Sequence, residues 1–155
     1  SAIKILNWKI GDKHIKDGIE NVQLNTGLRG RWENLSENPK VICDTGHNID
    51  GLSNVINQLK KINFNKLHIV FGTVNDKDTN KILELLPKEA KYYFCAAKID
   101  RALDATELKN KSAKFNLKGD SFNSVKEAYQ KSISNAKQDD LIFIGGSTFV
   151  VAEVL

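Results

Sequence analysis

The stretch Asp44-Thr45-Gly46-His47-Asn48 brings a carboxylate, an imidazole and an amide together directly after an apolar run. A carboxylate accepts hydrogen bonds, an amide does both, and an imidazole can hold or pass a proton near neutral pH. Three further apolar runs end in polar residues. One ends in Gly72-Thr73-Val74-Asn75-Asp76, one leads into Lys98-Ile99-Asp100-Arg101, and one ends in Gly145-Gly146-Ser147-Thr148. Each group also has a plainer explanation. Asp44 and Asn48 could cap the next helix. Gly145-Gly146-Ser147 could be a tight turn with a capping serine, or an anion site of backbone N–H groups at a helix start. Neither capping nor packing calls for a histidine at position 47, although a surface histidine satisfies the same sequence. His14, in the lysine-rich tail, and His68, inside an apolar run, are weaker candidates. For His68 a satisfied core or sheet-face histidine is the default.

The elements that must position these residues alternate in type. Lys40 to Cys43, Leu67 to Phe71, Tyr92 to Ala96 and Leu141 to Ile144 are short, apolar and bounded by Gly, Asp or Asn, the pattern of buried strands. Between the first two, Leu52, Val55, Ile56, Leu59 and Ile62 recur at helical spacing. A second helix, with Ile82, Leu83, Leu85 and Leu86, stops at Pro87. Asp104 with Glu107, and Ser124 with Glu127, read as capping boxes for two more. The latter helix carries Val125, Ala128, Tyr129, Ile133 and Ala136 on one face. The fold class is therefore α/β, a Rossmann-like, mostly parallel sheet with helices on both faces. In such a sheet, ligands collect outside the carboxyl ends of the strands, where the polar groups above gather. A helical pattern over Ser1 to Ile10, a second with Ile15, Ile19 and Val22, and the Gly27-Leu28-Arg29-Gly30-Arg31 break make residues 1 to about 30 a tail and linker outside this core.

The chain has 155 residues, enough for one substantial core. No apolar run approaches the roughly 20 residues that span a bilayer. The net charge of +4 comes from lysines scattered singly. That is a solvated surface rather than a nucleic-acid footprint, and it suits a small anionic partner equally well. Cys43 and Cys95 lie in apolar runs, which makes them core thiols rather than a disulfide or metal set and favours a reducing cytoplasm. No GxxxxGK[ST] phosphate loop, Gly-x-Gly-x-x-Gly fingerprint or Gly-x-Ser-x-Gly elbow is present. The chemistry looks like half of an active site.

Five segments, in order, carry a family resemblance. They are Gly30-Arg31-Trp32-Glu33; Pro39 through Asn48; Phe71-Gly72 with Asp76-Lys77-Asp78; Arg101-Ala102-Leu103; and Asp140 through Ser147 followed by Val150 to Leu155. Together they resemble the carboxy-terminal domain of folylpolyglutamate and dihydrofolate synthases, within the Mur-ligase-like amide ligases. Asp44 stands 13 residues after Arg31, as in that family. Thr45-Gly46 replaces the Gly-Ala common there and leaves the spacing intact.

The resemblance implies an ATP-dependent, ADP-forming ligase that joins L-glutamate to a folate or dihydropteroate carboxylate through an acyl phosphate. Residues 1–30 would be the last helix and linker of an N-terminal ATPase domain, and residues 31–155 the Rossmann-like ligase domain. ATP and Mg²⁺ would be bound mainly by that ATPase domain, with no metal ligands in this chain and no membrane or nucleic-acid partner. Arg31 would reach the ATP phosphates as a catalytic arginine, and Asp44 would contact the nucleotide, most readily its ribose hydroxyls. His47 would face the reacting centre and, with Ser147, hold the glutamate. This chain alone would be inactive. Two alternatives remain. One is another Mur-type ligase, although those usually carry a lysine-containing motif where this chain has Asp-x-x-His-Asn. The other is a non-catalytic Rossmann-like module that binds a nucleotide or anion.

Overall fold

Strands that are apolar along their whole length need cover on both faces. The computed structural model, which describes residues 9–75 and 78–155, provides it with one six-stranded sheet and flanking helices. The expected helix over Ser1 to Ile10 lies, up to residue 8, outside the described residues, as do Asp76 and Lys77.

The elements in chain order are α1 (Asp12–Glu20), α2 (Val22–Thr26), β1 (Glu33–Glu37), β2 (Lys40–Asp44), α3 (Ile49–Leu59) and β3 (Leu67–Phe71). They continue with α4 (Thr79–Leu85), β4 (Lys91–Phe94), α5 (Ala105–Ala113), β5 (Lys118–Ser121), α6 (Val125–Asn135), β6 (Leu141–Gly145) and α7 (Thr148–Ala152). The strand order is β1-β2-β6-β3-β4-β5, parallel throughout except for the antiparallel β1–β2 pair. The last strand thus inserts between β2 and β3, and the carboxyl ends of β2, β6 and β3 come side by side.

Alternation along the strands divides the core in two. Ile42, Ile69, Phe71, Tyr92, Phe94, Leu141 and Phe143 face α3, α4 and α5, and meet Leu52, Ile56, Ile82, Leu83 and Leu108. Val41, Cys43, Val70, Tyr93, Cys95, Ile142 and Ile144 face α6 and α7, and meet Val125, Ala128, Val150 and Val151. The apolar face expected of α6 includes Ile133, but Ile133 is exposed and Ser132 takes the buried position. Leu85 of α4 is likewise exposed. Helices α1 and α2 bury no residue.

Two strands are absent from the sequence reading, β1 (ENLSE) and β5 (KGDS). Both are sheet edges, where half of the backbone faces solvent and a polar composition costs little. The expected capping boxes form in part. Asp104 Oδ1 accepts from Thr106 and Glu107 N–H at 2.9 Å, while Glu107 turns to Lys111 instead. Ser124 Oγ accepts from Glu127 N–H, and Glu127 answers on Asn123 N–H rather than on the cap residue itself.

At the amino-terminal edge of the sheet, His68 is the satisfied core histidine expected of a strand interior. Its Nδ1 meets the Tyr93 hydroxyl at 2.9 Å and its Nε2 meets Asp140 Oδ2 at 3.2 Å. Asp140 also accepts from the backbone N–H groups of Lys66 and Lys137. Burial alone would raise the Asp140 pKa. The hydrogen bonds from Lys137, His68 and Lys66, with the attraction of His68, outweigh it and hold the carboxyl below its ordinary value.

Two outcomes follow from these contacts. A lowered folded pKa means that the Asp140 contribution is fully present above the unfolded value, near 3.8, and is lost as pH falls through the folded one. Urea unfolding of this chain from neutral pH to about pH 2 should therefore show Asp140→Asn less stable at neutral pH and less sensitive to acid. Equal acid sensitivity in both proteins would contradict it. Ser112 carries a hydroxyl sealed in the core with no partner among the described residues. Ser112→Ala should raise the unfolding free energy by about 1 kcal/mol, and a fall would show that the hydroxyl is satisfied.

Candidate functional site

Strand β2 ends in Asp44, a half-buried carboxylate that ties two loops together. Its Oδ2 accepts from Trp32 N–H at 2.8 Å and its Oδ1 from Gly46 N–H at 2.7 Å. Each oxygen keeps a further lone pair, so the group can still accept from a ligand. The Trp32 contact holds the residue beside it, Arg31, at the same edge, with its side chain exposed.

The Arg31 loop is braced from behind by a pair not singled out in the sequence. Arg29 Nη2 lies 2.6 Å from Glu33 Oε1, and Gly30 N–H donates to Glu33 Oε2 at 2.7 Å. Arg29 also reaches the Leu155 carbonyl at 3.1 Å. Burial tends to raise the Glu33 pKa, but the bonds from Arg29 and Gly30 prevail and lower it. Gly30 has φ of +72°, and its carbonyl accepts from Thr45 N–H at 2.9 Å. A Cβ there would come within 2.9 Å of Thr45 and of Val151. The i, i+4 spacing of Arg29 and Glu33 is the signal that could have revealed the brace.

His47 follows on the β2–α3 loop. Its Nδ1 lies 3.0 Å from the Thr45 carbonyl. A carbonyl can only accept, so the proton is on Nδ1 and Nε2 is left to meet a ligand. Asn48 caps α3, its Oδ1 accepting from Gly51 N–H at 2.8 Å, so the capping explanation is correct for that residue. Asp44 bonds two residues ahead instead and is not the cap.

Ser147 arrives from the neighbouring strand, since Asp44 pairs with Gly145 in the β2–β6 register. It is buried, and its Oγ accepts from Phe149 N–H at 3.2 Å as the cap of α7. Its hydroxyl hydrogen can still be donated. Gly146 has φ of +92°. A Cβ there would strike the Phe71 ring and sit 2.7 Å from the Gly72 carbonyl oxygen.

Further along the edge, the loops after β3 and β4 are laced together. Asn75 N–H donates to the Arg101 carbonyl at 3.0 Å and Leu103 N–H to the Thr73 carbonyl at 2.9 Å. The Arg101 guanidinium lies 5.2 Å from the Phe149 ring centroid, a cation–π contact that holds an exposed positive charge on the rim. A cleft of about 440 Å³ opens here between His47, Asn48, Asp50, Thr73 and Asp78.

Arg31, Asp44, His47 and Ser147 therefore share one edge, around the ends of β2 and β6. His14 and His68 are elsewhere. His14 accepts from Gly11 N–H at the start of α1, and His68 is at the opposite edge. A larger depression, about 570 Å³, lies at that opposite edge between Glu37, Phe64 and Gln138, and none of the four residues lines it. Burial pushes both thiols, Cys43 and Cys95, up to about 12, as expected of core cysteines. Among the described residues no group of three or more His, Cys, Asp or Glu is placed to hold a metal ion, and no helix is long and apolar enough to cross a membrane.

Residues 30–148 match the family described as Mur ligase, glutamate ligase domain. The chain is 31% identical over 157 residues to the dihydrofolate synthase/folylpolyglutamate synthase of Buchnera aphidicola subsp. Acyrthosiphon pisum, covering 100% of this chain and 37% of that protein. Among solved structures it resembles E. coli FolC in complex with DHPP and ADP, with a TM-score of 0.84 and 27% identity over 99% of this chain and 36% of that one. It also resembles a bifunctional folylpolyglutamate synthase/dihydrofolate synthase with Mn, AMPPNP and L-glutamate bound, with a TM-score of 0.81 and 26% identity over 96% of this chain and 35% of that one. The chain thus spans little more than a third of the length of each of these relatives.

The β6–α7 turn is the least forgiving part of the edge. Gly146→Ala should lower stability by more than about 1 kcal/mol, from the positive φ alone, with the Phe71 contact adding to it. Thermal unfolding at wild-type stability would show that the turn can relax.

Proposed function

Because the chain belongs to the Mur ligase glutamate ligase domain family, we propose that it is the carboxy-terminal domain of an ATP-dependent folylpolyglutamate synthase/dihydrofolate synthase. The observation that carries this reading is the Asp44 carboxylate, which holds the Arg31 loop and the His47 loop on one edge. In this reading residues 31–155 form the ligase domain, and residues 1–30 are the last helix and linker of an ATPase domain in the same protein. The exposed Ile19, Val22, Leu24 and Leu28 of that tail suit a surface meant to be covered by such a domain.

ATP supplies the phosphoryl group that activates the folate or dihydropteroate carboxylate, with Mg²⁺ carried mainly by the ATPase domain. The amine of glutamate then attacks the acyl carbon, the C–N bond forms, the acyl C–O bond to phosphate breaks with its electron pair leaving on phosphate, and the amine gives up a proton. This chain's part is to position and to shield. Arg31, exposed on a loop held by backbone contacts, extends toward the phosphates, where a planar, permanent cation offsets the charge that spreads during transfer. Asp44 accepts from the nucleotide's hydroxyls with its remaining lone pairs. His47 presents Nε2 to the reacting centre, and Ser147 donates its hydroxyl to glutamate. Domain closure excludes water from the acyl phosphate.

The test uses the full-length protein with dihydropteroate and with a reduced folate as acceptors. Arg31→Ala should lower turnover about 10- to 1,000-fold with little change in folate affinity. His47→Ala should raise the KM for glutamate. The present chain alone should form no amide and give no micromolar ATP binding by calorimetry. Normal turnover in the Arg31 variant, or unchanged glutamate kinetics in the His47 variant, would remove that residue's role, and a full-length protein without ligase activity would overturn the reading itself.

A further inference from the structure

We infer that Thr73 is a substrate-binding residue that hydrogen-bonds the amine of the incoming amino acid, in the cleft beside His47. The inference rests on the ligase reading and extends it to a residue outside the Arg31, Asp44, His47 and Ser147 set.

Thr73 is only 5% exposed, yet it lines the open cleft that contains His47. Its side chain has no hydrogen-bond partner among the described residues. The side chain is enclosed except toward the cleft, so its hydroxyl is open to whatever enters there. Among the described residues the Thr45 and Ser112 hydroxyls also lack a side-chain partner, but Ser112 is sealed in the core and Thr45 does not line the cleft. Thr73 faces a space that a ligand can reach.

The position is also rigid. The Thr73 carbonyl accepts from Leu103 N–H at 2.9 Å, and the preceding Gly72 packs so closely on the Cys95 backbone that a Cβ would sit 2.5 Å from the Cys95 carbonyl oxygen. A β-branched side chain on a fixed backbone has few rotamers, so the hydroxyl is held in place before any ligand arrives.

Charge sets which end of an amino acid meets Thr73. Asp50 and Asp78 line the same cleft, and Asp78 is paired with Lys81 at 3.1 Å. Carboxylates on this rim attract the ammonium or amine end of an amino acid and turn its carboxylates away from Asp50 and Asp78. The volume of about 440 Å³ accommodates an amino acid. A hydroxyl oxygen can accept from an amine N–H in its charged or neutral form. Thr73 would thus orient the nitrogen toward the acyl carbon while His47 stands beside it.

The experiment compares full-length wild type, Thr73→Val and Thr73→Ser. Valine keeps the shape and removes the hydroxyl, and serine keeps the hydroxyl and removes the methyl. Thermal melts establish that each variant is folded. The expected result for Thr73→Val is a KM for glutamate raised about 3- to 10-fold, with KM for ATP and for the pterin substrate unchanged, and Thr73→Ser close to wild type. Unchanged glutamate KM in Thr73→Val would overturn the assignment. So would an equal rise in the ATP KM, or a serine variant as impaired as the valine one. A wild type that forms no amide with glutamate would bring down the ligase reading and this inference with it, whereas an active wild type with an unaffected valine variant removes Thr73 alone.

Discussion

A single carboxylate at the end of β2 organises the edge that holds the candidate site. Asp44 spends one oxygen on Trp32 N–H and the other on Gly46 N–H. Together with the Gly30 carbonyl, which accepts from Thr45 N–H, it ties the loop before β1, which carries Arg31, to the loop after β2, which carries His47. Charge-assisted bonds to backbone N–H groups are shorter and stronger than neutral ones. They also fix main chain rather than side chain, so the side chains that project from these loops stay available. The same carboxylate can therefore be a structural tie and a ligand contact, because two accepted bonds do not exhaust its lone pairs.

The opposite edge repeats the device with a different purpose. Asp140, just before β6, collects Lys66 N–H, Lys137 N–H and His68. It closes the amino-terminal ends of β3 and β6, the two central strands, and is fully enclosed. Asp44 remains half open. One end of the sheet is sealed by a satisfied carboxylate, and the other presents a partly satisfied one. That difference in exposure, not in residue type, separates scaffold from site.

Much of this was legible in the sequence because the central strands are buried on both faces and read as continuous apolar runs. Lys40–Asp44, Leu67–Phe71 and Leu141–Gly145 fall within a residue of expectation. Edge strands β1 and β5 were not legible, since Glu33–Glu37 and Lys118–Ser121 have no apolar alternation to detect. Position 133 failed for another reason: an isoleucine at the border of a helical face can turn outward when Ser132 packs inward. In the site, the convergence of Asp44, His47 and Ser147 followed from the rule that strand ends gather ligands. The Arg29–Glu33 brace and the isolation of the Thr73 hydroxyl did not, because both depend on which neighbours the fold brings near.

The order of the strands explains why one edge can hold so many independent groups. Because β6 enters between β2 and β3, the chain's last loop, Gly145-Gly146-Ser147, lands between the Asp44 loop and the Thr73 loop. Gly146 can pass under Phe71 only because it has no side chain. A larger residue would push Ser147 away from Asp44 or Thr73 away from its laced position. Sites built this way are rigid at the backbone and open at the side chains. In the proposed reading, such an edge suits a reaction whose phosphate-binding half comes from elsewhere, because a surface meant to meet another domain must keep its shape while nothing covers it.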